Sequence, residues 1–171
     1  MTDTLHILLW AVFPALVITG ALYDATSFTI PNWISIALAA LFVPAALLLG
    51  MSLGAIGLCL LVGFVMLLVG MGMFAMGWIG GGDAKLLAAA ALWMGWPGGM
   101  NFVLITAIAG GALAVALSAA RASLLQAYAA RGPAWIARLM TPGGAAPYGV
   151  AIAAGALIAF PSSAAMMVVA R

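Results

Sequence analysis

Apolar runs of about 20 residues, separated by breaks rich in Gly and Pro, fill almost the whole of this 171-residue chain. A helix crossing the hydrocarbon layer needs about that length, at about 1.5 Å of rise per residue, and must satisfy its own backbone hydrogen bonds there. Charged residues make up only 5% of the sequence, against about a quarter in a soluble domain, so no water-facing surface can be assembled from it. The expected fold is all-α: a polytopic membrane protein with about six transmembrane helices, in which residues 1–171 form a single membrane-embedded domain.

The runs predict helices over about 5–23, 33–49, 53–75, 83–96, 100–120 and 148–169. Only Gly50 to Ser52 separate the second from the third, which requires a tight hairpin. The fourth is short for a full crossing, and Pro161 is expected to kink the sixth. Six crossings put Asp24, 77–85 and 121–147 on one side, with both termini on the other. Lys85, Arg121, Arg131 and Arg138 then share a side opposed only by Arg171, so the positive-inside rule makes the first side cytoplasmic. This orientation counts the short fourth helix as a crossing. Residues 131–140 read equally as a short interfacial helix or a basic loop.

Five basic and three acidic residues are scattered without a patch, which excludes phosphate-driven nucleic-acid binding. Cys59 is the single Cys, so neither a disulfide framework nor a thiolate metal cluster can be built, and His6 as the single His gives little support to an imidazole metal site or a Ser-His-Asp triad. No metal and no cofactor are expected. Both residues are read as structural.

The acids carry more information. Asp3 lies at the N-terminus, whereas Asp24 and Asp83 abut apolar segments, where a charge is expensive to bury. Two such carboxylates on one side of the membrane suit peptide hydrolysis, which needs one ionised Asp to activate water and one protonated Asp to donate a proton. Carbonyl dipoles at the end of the first helix disfavour charge on Asp24, and free N–H groups at the start of the fourth favour it on Asp83. That places the shared proton on Asp24. Gly80, Gly81 and Gly82 leave room for a substrate backbone beside Asp83, although the same segment also reads as a turn followed by a helix cap.

Gly80-Gly81-Gly82-Asp83-Ala84-Lys85-Leu86-Leu87 resembles the Gly-x-Gly-Asp segment of type IV prepilin peptidases, a family of membrane aspartyl proteases. Asp24 followed by Ile30-Pro31-Asn32 resembles the family's first catalytic segment, and Pro147-Tyr148-Gly149-Val150-Ala151-Ile152 the opening of its last helix. The resemblance covers about residues 21–156. It implies that Asp24 and Asp83 are catalytic, need no metal and act on the cytoplasmic side, at the bacterial inner membrane. Gly80, Gly81, Gly82, Lys85, Pro31, Asn32 and Tyr148 are the implied supports of the substrate site, with Lys85 influencing the charge of Asp83 or binding a lipid phosphate. Substrates would be prepilins or pseudopilins, cut after a short basic leader. Thr26, Ser27 and Phe28 stand where the family often has charged residues.

Larger relatives carry a paired-Cys cytoplasmic domain and methylate the new N-terminus. This chain looks like the small peptidase-only form of the tight-adherence or Flp type, without a methyltransferase domain. Archaeal preflagellin peptidases share the reaction class. Two readings of other classes stay open: a proton-coupled transporter using the two Asp residues, and a non-catalytic structural subunit of a pilus or secretion assembly. The sequence does not define an oligomeric state.

Trp10, Trp33, Trp78, Trp93, Trp96 and Trp135 fall mostly near helix ends and read as membrane-interface anchors, with Trp33 and Trp78 close enough to the motifs to help form a substrate groove. Met66, Met71, Met73 and Met76 read as core filling, with a pliable docking surface as the alternative.

Overall fold

The computed structural model describes residues 2–123, 125, 129 and 131–169, with side chains placed between 11 and 167. The expectations for Asp3, His6 and Trp10 fall outside the described side chains, and Arg171 lies outside the described residues. Every described element is a helix: α1 (Thr2–Ser27), α2 (Asn32–Leu48), α3 (Leu53–Ala75), α4 (Gly81–Arg121), α5 (Ala134–Leu139), α6 (Tyr148–Ala159), a 3-10 turn (Phe160–Ser162) and α7 (Ala164–Val169). Leu53–Ala75, Gly81–Arg121 and Tyr148–Met167 are long and apolar enough to cross a membrane, while Ala11–Ser27 and Asn32–Leu48 are shorter apolar helices. The chain is a polytopic membrane protein.

Helix α1 runs past its expected end, so Asp24 lies within its last turns. The Thr26 and Ser27 hydroxyls bond back to Leu22 O at 2.7 Å and Tyr23 O at 2.6 Å, carbonyls one turn up the helix, so both polar side chains are satisfied within α1. Phe28, with φ of 56°, then turns the chain out of the helix while its N–H donates to Asp24 O at 2.9 Å. The hairpin between α2 and α3 forms as expected, with Gly50 supplying a φ of 75° that side chains disfavour.

The fourth and fifth expected helices form one element with a sharp break inside it. Gly95 (φ 57°, ψ −151°) and Trp96 (φ −118°, ψ 134°) leave the helical region just before Pro97. Before the break α4 runs antiparallel to α3, with Gly70 against Ala84 and Gly63 against Leu92. After it the chain returns beside α6: Gly98 meets Ser162, Gly155 meets Thr106, and Gly110 meets Tyr148 and Ala151. The first half of α4 therefore ends against Cys59, six residues short of the start of α3.

The last expected helix is not continuous. Pro161 sits in the 3-10 turn, and Ser163 is extended (ψ 153°), so α6 stops at Ala159.

Ten residues along α4 from Asp83, the Trp93 ring centroid lies 5.4 Å from Phe13 and, edge-on, 5.8 Å from Phe42, and Phe13 stacks on Phe160 at 4.8 Å. The Trp93 indole donates to Leu38 O at 2.9 Å. Trp93 is thus a core residue and not an interface anchor, because its one polar atom finds an internal partner. Cys59 is buried, as a small core residue would be. Met66 packs partly buried against the core, but Met71 and Met76 are exposed, so core filling fails for those two. The ambiguous segment 131–140 contains the six-residue α5, none of whose residues is buried.

Candidate carboxylate site

Asp24, from the last turns of α1, and Asp83, from the first turn of α4, line one cavity of about 300 Å³. Their exposures are 5% and 6%, in a chain whose other buried residues are nearly all apolar or small. Phe28, Trp78, Ile79, Gly80, Ala145, Ala146 and Tyr148 complete the wall together with Gly77.

Each carboxylate accepts a backbone donor. Gly80 N–H donates to Asp83 Oδ2 at 3.0 Å, so the capping role read from the sequence and the position on the cavity belong to the same side chain. Gly149 N–H, in the first turn of α6, donates to Asp24 Oδ2 at 2.7 Å. Asp24 therefore stands at the end of its own helix but at the beginning of another, and the helix-end asymmetry used to assign the proton disappears. Asp83 Oδ1 is buried with no hydrogen-bond partner among the described residues.

Close packing around Ile30 fixes this arrangement. A Cβ on Gly82 would lie 3.1 Å from Ile30 Cβ, and one on Gly149 would lie 2.9 Å from Ile30 Cδ1 and 2.8 Å from Asp24 Oδ2. Ile30 is the wedge on which the two Gly-bearing segments close. Its own segment supplies the third contact surface, so all three sequence motifs meet at one place.

Among the expected supports, Gly80 and Tyr148 line the cavity, whereas Gly81 packs on Phe74 and Gly82 on Ile30 behind it. Pro31, Asn32 and Lys85 do not line it. Pro31 precedes α2, and the Lys85 ammonium donates to Asn32 Oδ1 at 2.8 Å on the border of a separate apolar groove between α2 and α3. The helical turn from Asp83 to Lys85 points the two side chains to different faces, which is why adjacency in sequence misled. Trp33 is half exposed and off the cavity, while Trp78 lines it as anticipated.

Sequence reading missed the loop 141–147. Ala145 and Ala146 form cavity wall, and Arg121 holds their loop: Nε donates to Leu139 O at 2.9 Å, Nη1 to Gly144 O at 2.9 Å and Nη2 to Ala145 O at 2.8 Å. The one available signal was an Arg closing an apolar run ahead of Gly143 and Gly144. Gly149 was already inside a quoted motif, but its N–H carries a contact that no side-chain pattern announces.

Two almost buried carboxylates facing one cavity, in a helical chain that crosses the membrane, define a membrane protein with a paired-aspartate site. Residues 11–115 match the Type IV leader peptidase family, and the chain belongs to that family. Membership makes it a peptidase of the kind that acts on prepilin or pseudopilin precursors. The matched region contains both Asp24 and Asp83. No curated protein matches the chain, and no solved structure does.

Proposed function

We propose that this protein is an aspartic endopeptidase of the bacterial inner membrane that removes the cytoplasmic leader of type IV, Flp-like prepilins or pseudopilins. Six crossings, counting the two halves of α4 separately, give the cytoplasmic orientation. The observation that carries the reading is the shared cavity of Asp24 and Asp83, within a chain of the leader peptidase family.

In this mechanism one ionised carboxylate takes a proton from water, and the resulting hydroxide attacks the scissile carbonyl carbon. The other, protonated carboxyl stabilises the developing oxyanion by hydrogen bonding. A proton then passes to the amide nitrogen, the C–N bond breaks, and the products are a free leader carboxylate and a new amino terminus. Mutual repulsion of two near carboxylates separates their ionisations, so the singly protonated pair is available for both roles. The backbone donors from Gly80 and Gly149 hold the two groups in place without occupying Asp83 Oδ1.

Purified protein in liposomes, incubated with a type IV prepilin, is expected to yield a product whose mass corresponds to loss of the leader. Asp24→Asn and Asp83→Asn should each abolish it. Full cleavage by either variant would sink the paired-aspartate mechanism.

A further inference from the structure

A second cavity, of about 380 Å³, adjoins the first. Trp78, Ile79 and Tyr148 border both, and beyond them the lining is apolar: Leu87 from α4, Ile152 from α6, and a face of the second half of α4 made of Ala107, Gly110, Gly111 and Ala114. From 107 to 114 that face extends about 10 Å, roughly two helical turns. It starts at the carboxylates and descends along the apolar bundle. Thr106 is the polar residue of the lower wall, and its Oγ1 is buried toward Gly155, away from any occupant.

We propose that this groove seats the hydrophobic helix of the precursor, the part retained after cleavage, with its first turns against Gly111 and Ala107. The inference rests on the peptidase reading above. Below Tyr148 the groove's one hydroxyl, that of Thr106, is buried toward Gly155, so the groove suits a segment that satisfies its own backbone, which is a helix and not an extended peptide. The scissile bond must be extended to reach two carboxylates, so the helix begins just after it. Asp83, whose Oδ1 is buried without a partner among the described residues, lines the adjoining cavity at that junction. The small residues of α4 let a helix backbone come close, and Gly111 in particular has nothing within 4 Å of where a Cβ would stand.

That open space at Gly111 makes the test direct. With Cys59→Ala removing the one native thiol and Asp83→Asn preventing cleavage, Gly111→Cys is placed in liposomes with a type IV prepilin bearing a single Cys at successive positions of its hydrophobic segment. Disulfide crosslinks should recur every three to four residues beyond the leader junction. They should exceed those of Gly57→Cys, an equally open position on α3, by about tenfold. A yield no greater than that of Gly57→Cys overturns the proposal.

In the active protein, Gly111→Leu should lower kcat/KM for the precursor by about tenfold or more, with Gly57→Leu unchanged. Cleavage at the normal rate by Gly111→Leu also overturns it. The Asp→Asn cleavage assays fail or succeed independently of the crosslinks, so loss of the groove and loss of the peptidase reading give different results.

Discussion

Gly149 N–H donates to Asp24 Oδ2 at 2.7 Å, a contact between residues 125 positions apart. It ties the last turns of α1 to the first turn of α6 at the mouth of the bundle. The same approach leaves no space for a side chain, since a Cβ on Gly149 would stand 2.8 Å from that carboxylate oxygen and 3.0 Å from Asp24 Cβ.

Gly149→Ala should therefore displace Asp24 and Ile30 together. A shift of about 1 Å in a reacting group can cost about 100-fold in rate, and overpacking costs about 1–3 kcal/mol of stability. Cleavage of prepilin should fall by about that factor, with a lowered thermal midpoint in detergent. Normal activity with a normal midpoint would show that Asp24 does not depend on this contact.

Asp83→Asn separates chemistry from stability. The amide oxygen can still accept from Gly80 N–H, and an amide NH₂ replaces an oxygen that has no donor. The expected result is a thermal midpoint equal to or above that of the unaltered protein, with cleavage reduced by at least about 1,000-fold, the trade expected where a site is built for reaction and not for stability. Unfolding at a lower temperature would contradict the assignment of Oδ1 as unpartnered.

Gly70 and Gly72, two positions apart on α3 and so on different faces of it, should respond in opposite directions. At Gly70 a Cβ would lie 3.1 Å from the backbone of Ala84, next to Asp83, whereas at Gly72 nothing lies within 4 Å. Gly70→Ala should destabilise the protein by about 1–3 kcal/mol and reduce cleavage, because the start of α4 has to move. Gly72→Ala should stabilise by about 0.5–1 kcal/mol, as Gly in a helix interior is replaced without a clash. Equal effects in thermal unfolding would remove the argument from close α3–α4 packing.

The elements most legible in the sequence were those set by length and composition. Helix α3 has the expected bounds because Ser52 and the turn residues before it stop an otherwise uninterrupted apolar run, and the Ser52 hydroxyl accepts from Ala55 N–H at 3.2 Å. The paired acids and the Gly segment were legible because a charge at membrane depth is rare enough to demand a reason. What stayed hidden depends on the third dimension. Periodicity does not say that Lys85 turns to Asn32, that Trp93 finds Leu38 O, or that α1 continues past Asp24 to Ser27. The dipole argument for the proton failed for the same reason, since the donor to Asp24 comes from a distant helix.

Lys85 illustrates the difference as a measurement. Because its ammonium is engaged with Asn32 Oδ1 and borders a groove apart from the carboxylates, Lys85→Met should retain cleavage within about tenfold and keep the pH profile of the unaltered protein. A displaced pH optimum would mean that Lys85 reaches Asp83 during turnover.

Arg121 is the strongest case of a residue acting through others. Its guanidinium spans three carbonyls, those of Leu139, Gly144 and Ala145, and so fixes the loop whose Ala145 and Ala146 wall the cavity and whose end delivers Gly149 to Asp24. A Lys ammonium is a compact group on a flexible stem and cannot reproduce that planar, divergent set of donors. Arg121→Ala should lower kcat for prepilin by about 10- to 100-fold, the scale of a misplaced catalytic group, with Arg121→Lys recovering only part of it. Limited proteolysis should show cleavage in 141–147 rising in the same order, Arg121→Ala above Arg121→Lys. If Arg121→Lys restored full kcat, charge at the membrane surface and not the three-carbonyl clamp would be the property that matters.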